Sequence, residues 1–298
     1  MPFNHRYLGG VAFSLAILFS PVNATDYVQA RMWGRLGNNL FIIAAATSLA
    51  LDNNAEAVFP DFALAFAPNN NLKDNYQAAE LRLNYQKMFS HLDVSNPSSK
   101  PAVIYVEPSF NYSPIPYHPN MLLEGWFQSE KYFSRHKDEI IELFGPSWEI
   151  KQYLEDHYRD IINDPNTVSV HLRAYNKENL ALEKVFPTYG REYFEKAMNT
   201  FPEDSWFIIF SDQIEWAKQE LEVIPRKMTF IEAEPYYHDF YLMSMCKHHI
   251  ISNSSFSWWA AYLNKDPGKK VIVPPVWFCP EYNHNADDLI PQDWIILK

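Results

Sequence analysis

The residues best suited to chemistry in this chain sit where short apolar runs end. The run Thr167–Leu172 is followed by Arg173, and strand alternation sends His171 and Arg173 to one side and Leu172 to the other. A guanidinium there stays charged at any working pH and matches two phosphate oxygens at once. A plain solvent-facing arginine is the alternative. The run Tyr27–Trp33 leads into Gly34-Arg35-Leu36-Gly37-Asn38-Asn39. A strand, a glycine turn and a helix start, in that order, leave backbone N–H groups open to an anion. Arg35 adds donors, and Asn38 serves as helix cap or as ligand contact. A tight turn with a capping asparagine fits the same residues equally well. The Lys-Ser/Thr pair of a Walker loop and the spacing G-x-G-x-x-G are both missing from this stretch.

Three further segments follow the same pattern. His249–Ser252 runs into Asn253-Ser254-Ser255-Phe256, where two hydroxyls and helix-start N–H groups suit a phosphate; an ordinary serine cap is the other reading. The Asn253-Ser254-Ser255 glycosylation pattern is discounted, because a strand end of this kind should be buried. Asp239 lies early in a helix over Tyr237–Lys247. Its carboxylate could accept two adjacent N–H groups of a guanine, or merely complement the helix dipole. Ser211-Asp212, after Trp206–Phe210, reads as a helix cap rather than a ligand contact.

Other chemistries find little support. There is no D-x-D, no H-E-x-x-H, no spaced Cys/His set and no G-x-S-x-G elbow, so no metal site or cofactor is expected. His248 and His249 are adjacent and point apart. A net charge of −11 argues against a nucleic-acid partner. Two cysteines exclude a disulfide scaffold. Glycine occurs only 8 times, which makes Gly34 and Gly37 informative, and the 16% aromatic content suits stacking on flat ligands or an aromatic-rich core.

The elements that must hold these residues alternate. Strands are predicted at Tyr27–Trp33, Ala55–Phe59, Thr167–Leu172, Trp206–Phe210, Met228–Ile231, His249–Ser252 and Lys270–Val273. Helices are predicted at Leu40–Leu51, around Ala78–Phe89, Ser129–Leu143, Glu149–Ile162, Arg191–Asn199, Gln213–Leu221 and Tyr237–Lys247, and along the face Phe256, Trp259, Ala260, Leu263. Residues 61–120 read as largely irregular. Apolar strands alternating with amphipathic helices imply parallel sheets covered on both faces, with ligands beyond the strands' carboxyl ends. Residues 1–25 have the layout of a signal peptide, with Arg6, an apolar stretch from Leu8 to Phe19 and small residues before a cleavage point, and residues 7–24 could instead anchor the chain to a membrane. Two α/β domains are expected after it, 26–160 and 161–298.

Taken together, the segments resemble the α-1,2-fucosyltransferase family. The likeness rests on Trp33-Gly34-Arg35-Leu36-Gly37-Asn38-Asn39, on Glu124 to Phe133 (EGWFQSEKYF), on Phe210-Ser211-Asp212 through Trp216, and most specifically on Tyr241 to Lys247 running into Ser252 to Trp259. It covers about Trp33 to Trp277, with 61–120 poorly matched. The resemblance implies an α/β fold of two Rossmann-like domains facing a cleft, the GT-B type. It implies metal-independent, inverting transfer of L-fucose from GDP-β-L-fucose to the 2-hydroxyl of a galactose-type acceptor glycan. Arg173 would be catalytic, and Arg35, Asn38, His171, Asp239, Ser254, Ser255 and Phe256 would bind the donor. The family's H-x-R-R-x-D signature departs here to Ala174 and Asn176. Asp61, Glu124 and Glu130 are acceptor-side candidates, none singled out by spacing. The rival functions are a non-catalytic exported sugar-binding protein and a protein O-fucosyltransferase. The leader implies a membrane-associated or secretory location.

Overall fold

The computed structural model describes residues 25–67, 76–97, 99–178, 180–282 and 284–298. The expected leader therefore lies, but for its last residue, outside the described residues. Among those described, no helix is long and apolar enough to cross a membrane.

Two parallel sheets carry the fold. The first has β1 (Tyr27–Ala30), β2 (Glu56–Val58), β3 (Val103–Val106) and β4 (Met121–Glu124) in the order β2-β1-β4-β3. The second has β5 (Thr167–Leu172), β6 (Trp206–Ser211), β7 (Lys227–Phe230), β8 (His248–Ile250), β9 (Val271–Val273) and β10 (Ile295–Ile296) in the order β10-β9-β8-β5-β6-β7. β5 lies centrally, paired on both sides, and is buried along its whole length although Thr167, Ser169 and His171 alternate with its apolar residues.

The helices depart from the sequence reading at their ends. The first, α1 (Leu36–Asp52), starts four residues early, and its N-cap is Arg35, so Asn38 is not the cap. β1 correspondingly stops at Ala30 rather than Trp33. Residues 60–120 are less irregular than expected: they contain α2 (Pro60–Leu64), α3 (Tyr76–Asn84) with a π turn to Phe89, and β3, an edge strand too short and too exposed to stand out. The single helix expected over 129–143 is two 3-10 turns followed by α4 (Lys137–Leu143), and that over 149–162 breaks at Tyr158 into α5 (Trp148–His157) and α6 (Arg159–Asn163). The remaining helices are α7 (Tyr175–Glu178), α8 (Leu180–Glu183), α9 (Arg191–Met198), α10 (Ile214–Leu221), α11 (Tyr236–Met245) and α12 (Ser255–Leu263).

One hydrophobic core spans both sheets, and a second covers the other face of the second sheet, with Val168, Val170, Phe207 and Ile209. Leu40 to Ala46 of α1 are buried on every side, because α1 is enclosed by β1, α4 and α12. Its Ala44-Ala45-Ala46 run lets these neighbours approach closely. Phe41 meets Trp258 at 4.5 Å and Trp259 at 5.0 Å, and Phe133 stacks on Trp259 at 5.2 Å. Rings from the two halves thus interlock, and their edge and offset arrangements add to the burial itself.

The closest approach is at Gly37. A Cβ there would lie 2.5 Å from the Ser255 carbonyl carbon and 2.6 Å from the Phe256 nitrogen. Only a glycine lets the first turn of α1 meet the first turn of α12 backbone to backbone. Gly37→Ala is expected to destabilise the protein by about 1–3 kcal/mol, the usual cost of overpacking a close contact. Thermal unfolding with unchanged far-ultraviolet circular dichroism checks this; an unshifted melting temperature would show that the two helices part at little cost.

Candidate active site

The carboxyl ends of both sheets open onto one cavity of about 760 Å³. Its wall draws on the segments after β1, β4, β5, β6, β8 and β9, the place where parallel α/β sheets bind ligands. Eight residues singled out from the sequence line it together: Arg35, Asn38, His171, Arg173, Asp239, Ser254, Ser255 and Phe256.

Arg173 stands at the end of the central strand and is mostly enclosed, its side chain 12% exposed. It pairs with Asp212, whose other oxygen accepts from the Ala174 nitrogen at 3.3 Å. The Tyr175 ring lies 5.2 Å from the guanidinium carbon. Asp212 is therefore not the helix cap read from the sequence. Nor is Ser211: the N-cap of α10 is Gln213, with no side-chain cap bond, and Ser211 Oγ accepts from the Gln213 nitrogen at 3.0 Å in the turn before the helix, while Asp212 lines the cavity as the partner of Arg173. His171 is buried beside it, with Nδ1 3.2 Å from Ser252 Oγ. Burial, reinforced by the Arg173 charge, drops its pKa to about 3, so the imidazole is neutral.

The two helix starts meet here. Asn38 Oδ1 accepts from Gln128 Nε2 at 2.8 Å and from Ser255 Oγ at 3.0 Å, so one amide joins the loop after β4 to α12. Ser254 is the N-cap of α12 but makes no side-chain cap bond. Two helix N-termini at one wall create a local positive field that favours an anion. Asn253 is buried, its Nδ2 bound to the Pro187 and Trp277 carbonyls at 3.1 and 3.0 Å, in keeping with the discounted glycosylation.

Two buried acceptors on this wall lack a partner among the described residues, Asp239 Oδ1 and Asn253 Oδ1. Buried polar atoms are nearly always satisfied, so these point to a ligand that brings N–H or O–H donors. Burial, with the Glu234 charge as the lesser cause, raises the Asp239 pKa to about 8.

The acceptor-side candidates lie elsewhere. Asp61 Oδ2 accepts from the Met32 nitrogen at 2.9 Å, Glu124 pairs with Arg31 at 3.4 Å, and Glu130 is half-buried among Lys137, Lys269 and Asp293; none of the three lines the cavity. Among the described residues, the carboxylate that the first half does bring to the wall is Glu80 of α3, which accepts from the Leu36 nitrogen at 3.1 Å. Gln77 of the same helix donates to the Gly34 carbonyl at 2.9 Å. Glu80 and Gln128 escaped the sequence reading because their contacts span more than 40 residues, and Trp126 because its backbone is fixed by Glu107 from another strand end; the EGWFQS run was the available signal for the last two. Among the described residues, no group of three or more His, Cys, Asp or Glu is placed to hold a metal ion.

The family model of glycosyl transferase family 11 matches residues 12–298. The chain belongs to glycosyltransferase family 11. This agrees with the resemblance drawn from its motifs. An α-1,2-colitosyltransferase of Escherichia coli is 35% identical over 182 residues, 58% of this chain, and the chain spans 61% of that relative's length. A galactoside α-(1,2)-fucosyltransferase 2 of Hylobates lar is 25% identical over 93% of this chain and 86% of its own. A point mutant of Arabidopsis thaliana FUT1, solved in complex with GDP, superposes with a TM-score of 0.50 at 12% identity, covering 85% of this chain and 71% of that one, and supports the GT-B architecture.

The family 11 cleft carries a pH signature of its own. Asp239 has a folded pKa above its unfolded value, so its stabilising contribution is fully present below about pH 4 and is lost as pH rises through about 8. Asp239→Asn cannot ionise. The unliganded variant should differ least from wild type near pH 4 and gain on it steadily as pH rises to 8–9, by an amount on the order of a few kcal/mol. Melting curves across that range test it, and equal pH profiles would show that Asp239 is already ionised in the empty cleft.

Proposed function

We propose that this protein transfers L-fucose from GDP-β-L-fucose to the 2-hydroxyl of a galactose-type glycan, with inversion and without a metal ion. The observation that carries the reading is the pairing, on one wall, of an enclosed arginine at a central strand end with an unpartnered buried carboxylate. The names of both relatives support the α-1,2 linkage, and that of the Hylobates lar relative supports fucose as the sugar transferred and a galactoside acceptor.

On this reading Asp239 accepts from the adjacent N–H groups of guanine, and Asn253 Oδ1 takes a further donor of the nucleotide. The diphosphate lies against Arg173, Arg35 and the start of α12 at Ser254 and Ser255, with Phe256 and neutral His171 shaping the wall. As the bond from fucose C1 to the phosphate oxygen breaks, its electron pair passes to GDP and the sugar becomes cationic. Preorganised donors aimed at that growing charge lower the barrier. The acceptor oxygen attacks C1 from the opposite face, and Glu80 receives its proton. Residues 7–24 would place the protein on a secretory route or at a membrane.

The deciding experiment is a donor screen in excess EDTA with a β-galactoside acceptor. Transfer from GDP-fucose in preference to UDP-sugars, unaffected by EDTA, is expected; GDP-colitose is the informative competitor, given the relative of that activity. Complete loss restored by Mn²⁺, or a UDP-sugar preference, would overturn the reading.

Two variants test the roles. Arg173→Ala should lower kcat by about 10²–10³, with Arg173→Lys recovering part, because an ammonium supplies charge without the planar fork. Glu80→Gln keeps an oxygen for the Leu36 nitrogen but cannot take a proton, and should lower kcat by about 10²–10⁴ while GDP affinity is kept. Less than a tenfold loss in either case would reassign that residue.

A further inference from the structure

The loop after β4 is held in a costly shape, with Phe127 packed against Tyr105 and Tyr132. Phe127 is fully buried yet adopts φ +51°, a left-handed conformation that a bulky residue avoids and that costs of order 1 kcal/mol or more. Gly125 has no room for a Cβ, which would collide with the Glu107 side chain. Glu107 closes the loop: its carboxylate accepts from the Trp126 nitrogen at 2.7 Å and from the Phe127 nitrogen at 3.1 Å, and the Tyr132 hydroxyl donates to it at 3.4 Å. That carboxylate is half-buried, and desolvation raises its pKa despite these donors.

The outcome of this strain is the position of Trp126. Phe127 goes into the core, and Trp126 remains 41% exposed on the cavity wall. Phe110, from the loop that Glu107 opens, lines the same cavity. Left-handed backbone and a desolvated carboxylate are features that collect at ligand sites, and an aromatic ring left half-open on a cavity wall buries its face when a flat apolar surface covers it.

We propose that Trp126 is the platform of an acceptor-sugar subsite, and that Glu107 is the positioning residue that holds it there. The ligand class is a β-galactopyranoside, whose axial 4-hydroxyl leaves the hydrogens of C3, C4 and C5 together on one apolar face that stacks on an indole. Of the nucleotide-side groups, Arg173, Asp239 and Ser254 come from the second half and Arg35 from the first, and Trp126 comes from the first, as does Glu80. The assignment rests on the acceptor class proposed above.

The test uses saturation-transfer NMR of methyl β-D-galactopyranoside with the full chain and GDP, beside steady-state kinetics. Wild type should transfer saturation to H3, H4 and H5, and Trp126→Ala should abolish this, raising acceptor KM about tenfold or more while GDP affinity stays within about twofold. Trp126→Phe should recover most of the loss. Glu107→Gln sets an amide donor against the loop nitrogens and should raise acceptor KM in the same direction; Trp126→Ala decides the matter if that variant fails to fold. Galactoside contacts that persist in Trp126→Ala, or GDP affinity falling as far as acceptor affinity, would overturn the subsite. Galactoside contacts through Trp126 without any transfer from GDP-fucose would uphold it and sink the donor reading instead.

Discussion

The meeting of two helix starts at Gly37 is the constraint on which the cleft depends. α1 follows the first strand of one sheet and α12 follows the third-from-edge strand of the other, so their N-termini face the same cavity only if the sheets are locked together. The lock has a polar and an apolar part. At the cavity, Asn38 joins Gln128 to Ser255 through a single amide oxygen. Beneath it, Phe41 and Phe133 interlock with Trp258 and Trp259. A side chain at position 37 would push the helix starts apart and separate the two groups of backbone N–H donors that make the wall attractive to an anion.

How much of this was legible in the sequence depended on how local the cause was. The strand ends carrying Arg173, Ser254 and Ser255 are legible because short runs carrying Val, Leu or Ile terminate there just ahead of a helix. Asp239 was legible as one of two alternatives; the orphaned Oδ1 is what separates a ligand carboxylate from a dipole partner. Of the two readings of Asn38, helix cap or ligand contact, the cap fails, since Arg35 occupies that position and Asn38 bridges to Ser255 on the cavity wall. β3 was missed because two of its four side chains, Ile104 and Val106, face outward, so its pattern does not read as a buried strand.

Asp61, Glu124 and Glu130 show the limit from the other side. Each is a carboxylate near a strand or helix end in the first half, whereas Glu80, inside a predicted helix, carries no local signal. What separates them is tertiary: Asp61 is occupied by the Met32 nitrogen, Glu124 by Arg31, and Glu130 by a cluster of lysines away from the cleft. Glu80 reaches the cavity because α3 lies across the Gly34–Leu36 turn, with Gln77 and Glu80 each fastened to its backbone.

The electrostatics of the empty cleft follow from the same arrangement. The chain carries −11 overall, which opposes any anionic ligand, so attraction must be local. Two of the acids on the wall are already silenced in different ways. Asp212 is neutralised by Arg173, and burial favours the protonated form of Asp239 at neutral pH. A ligand bringing both N–H donors and a diphosphate reverses both conditions at once. Donors at Asp239 favour its ionised form, and phosphate oxygens compete with Asp212 for the Arg173 fork. A ligand with only one of these parts leaves the other acid as it was. On the proposed reading, the cleft thus discriminates for the whole nucleotide diphosphate because each part of that ligand acts on a different carboxylate.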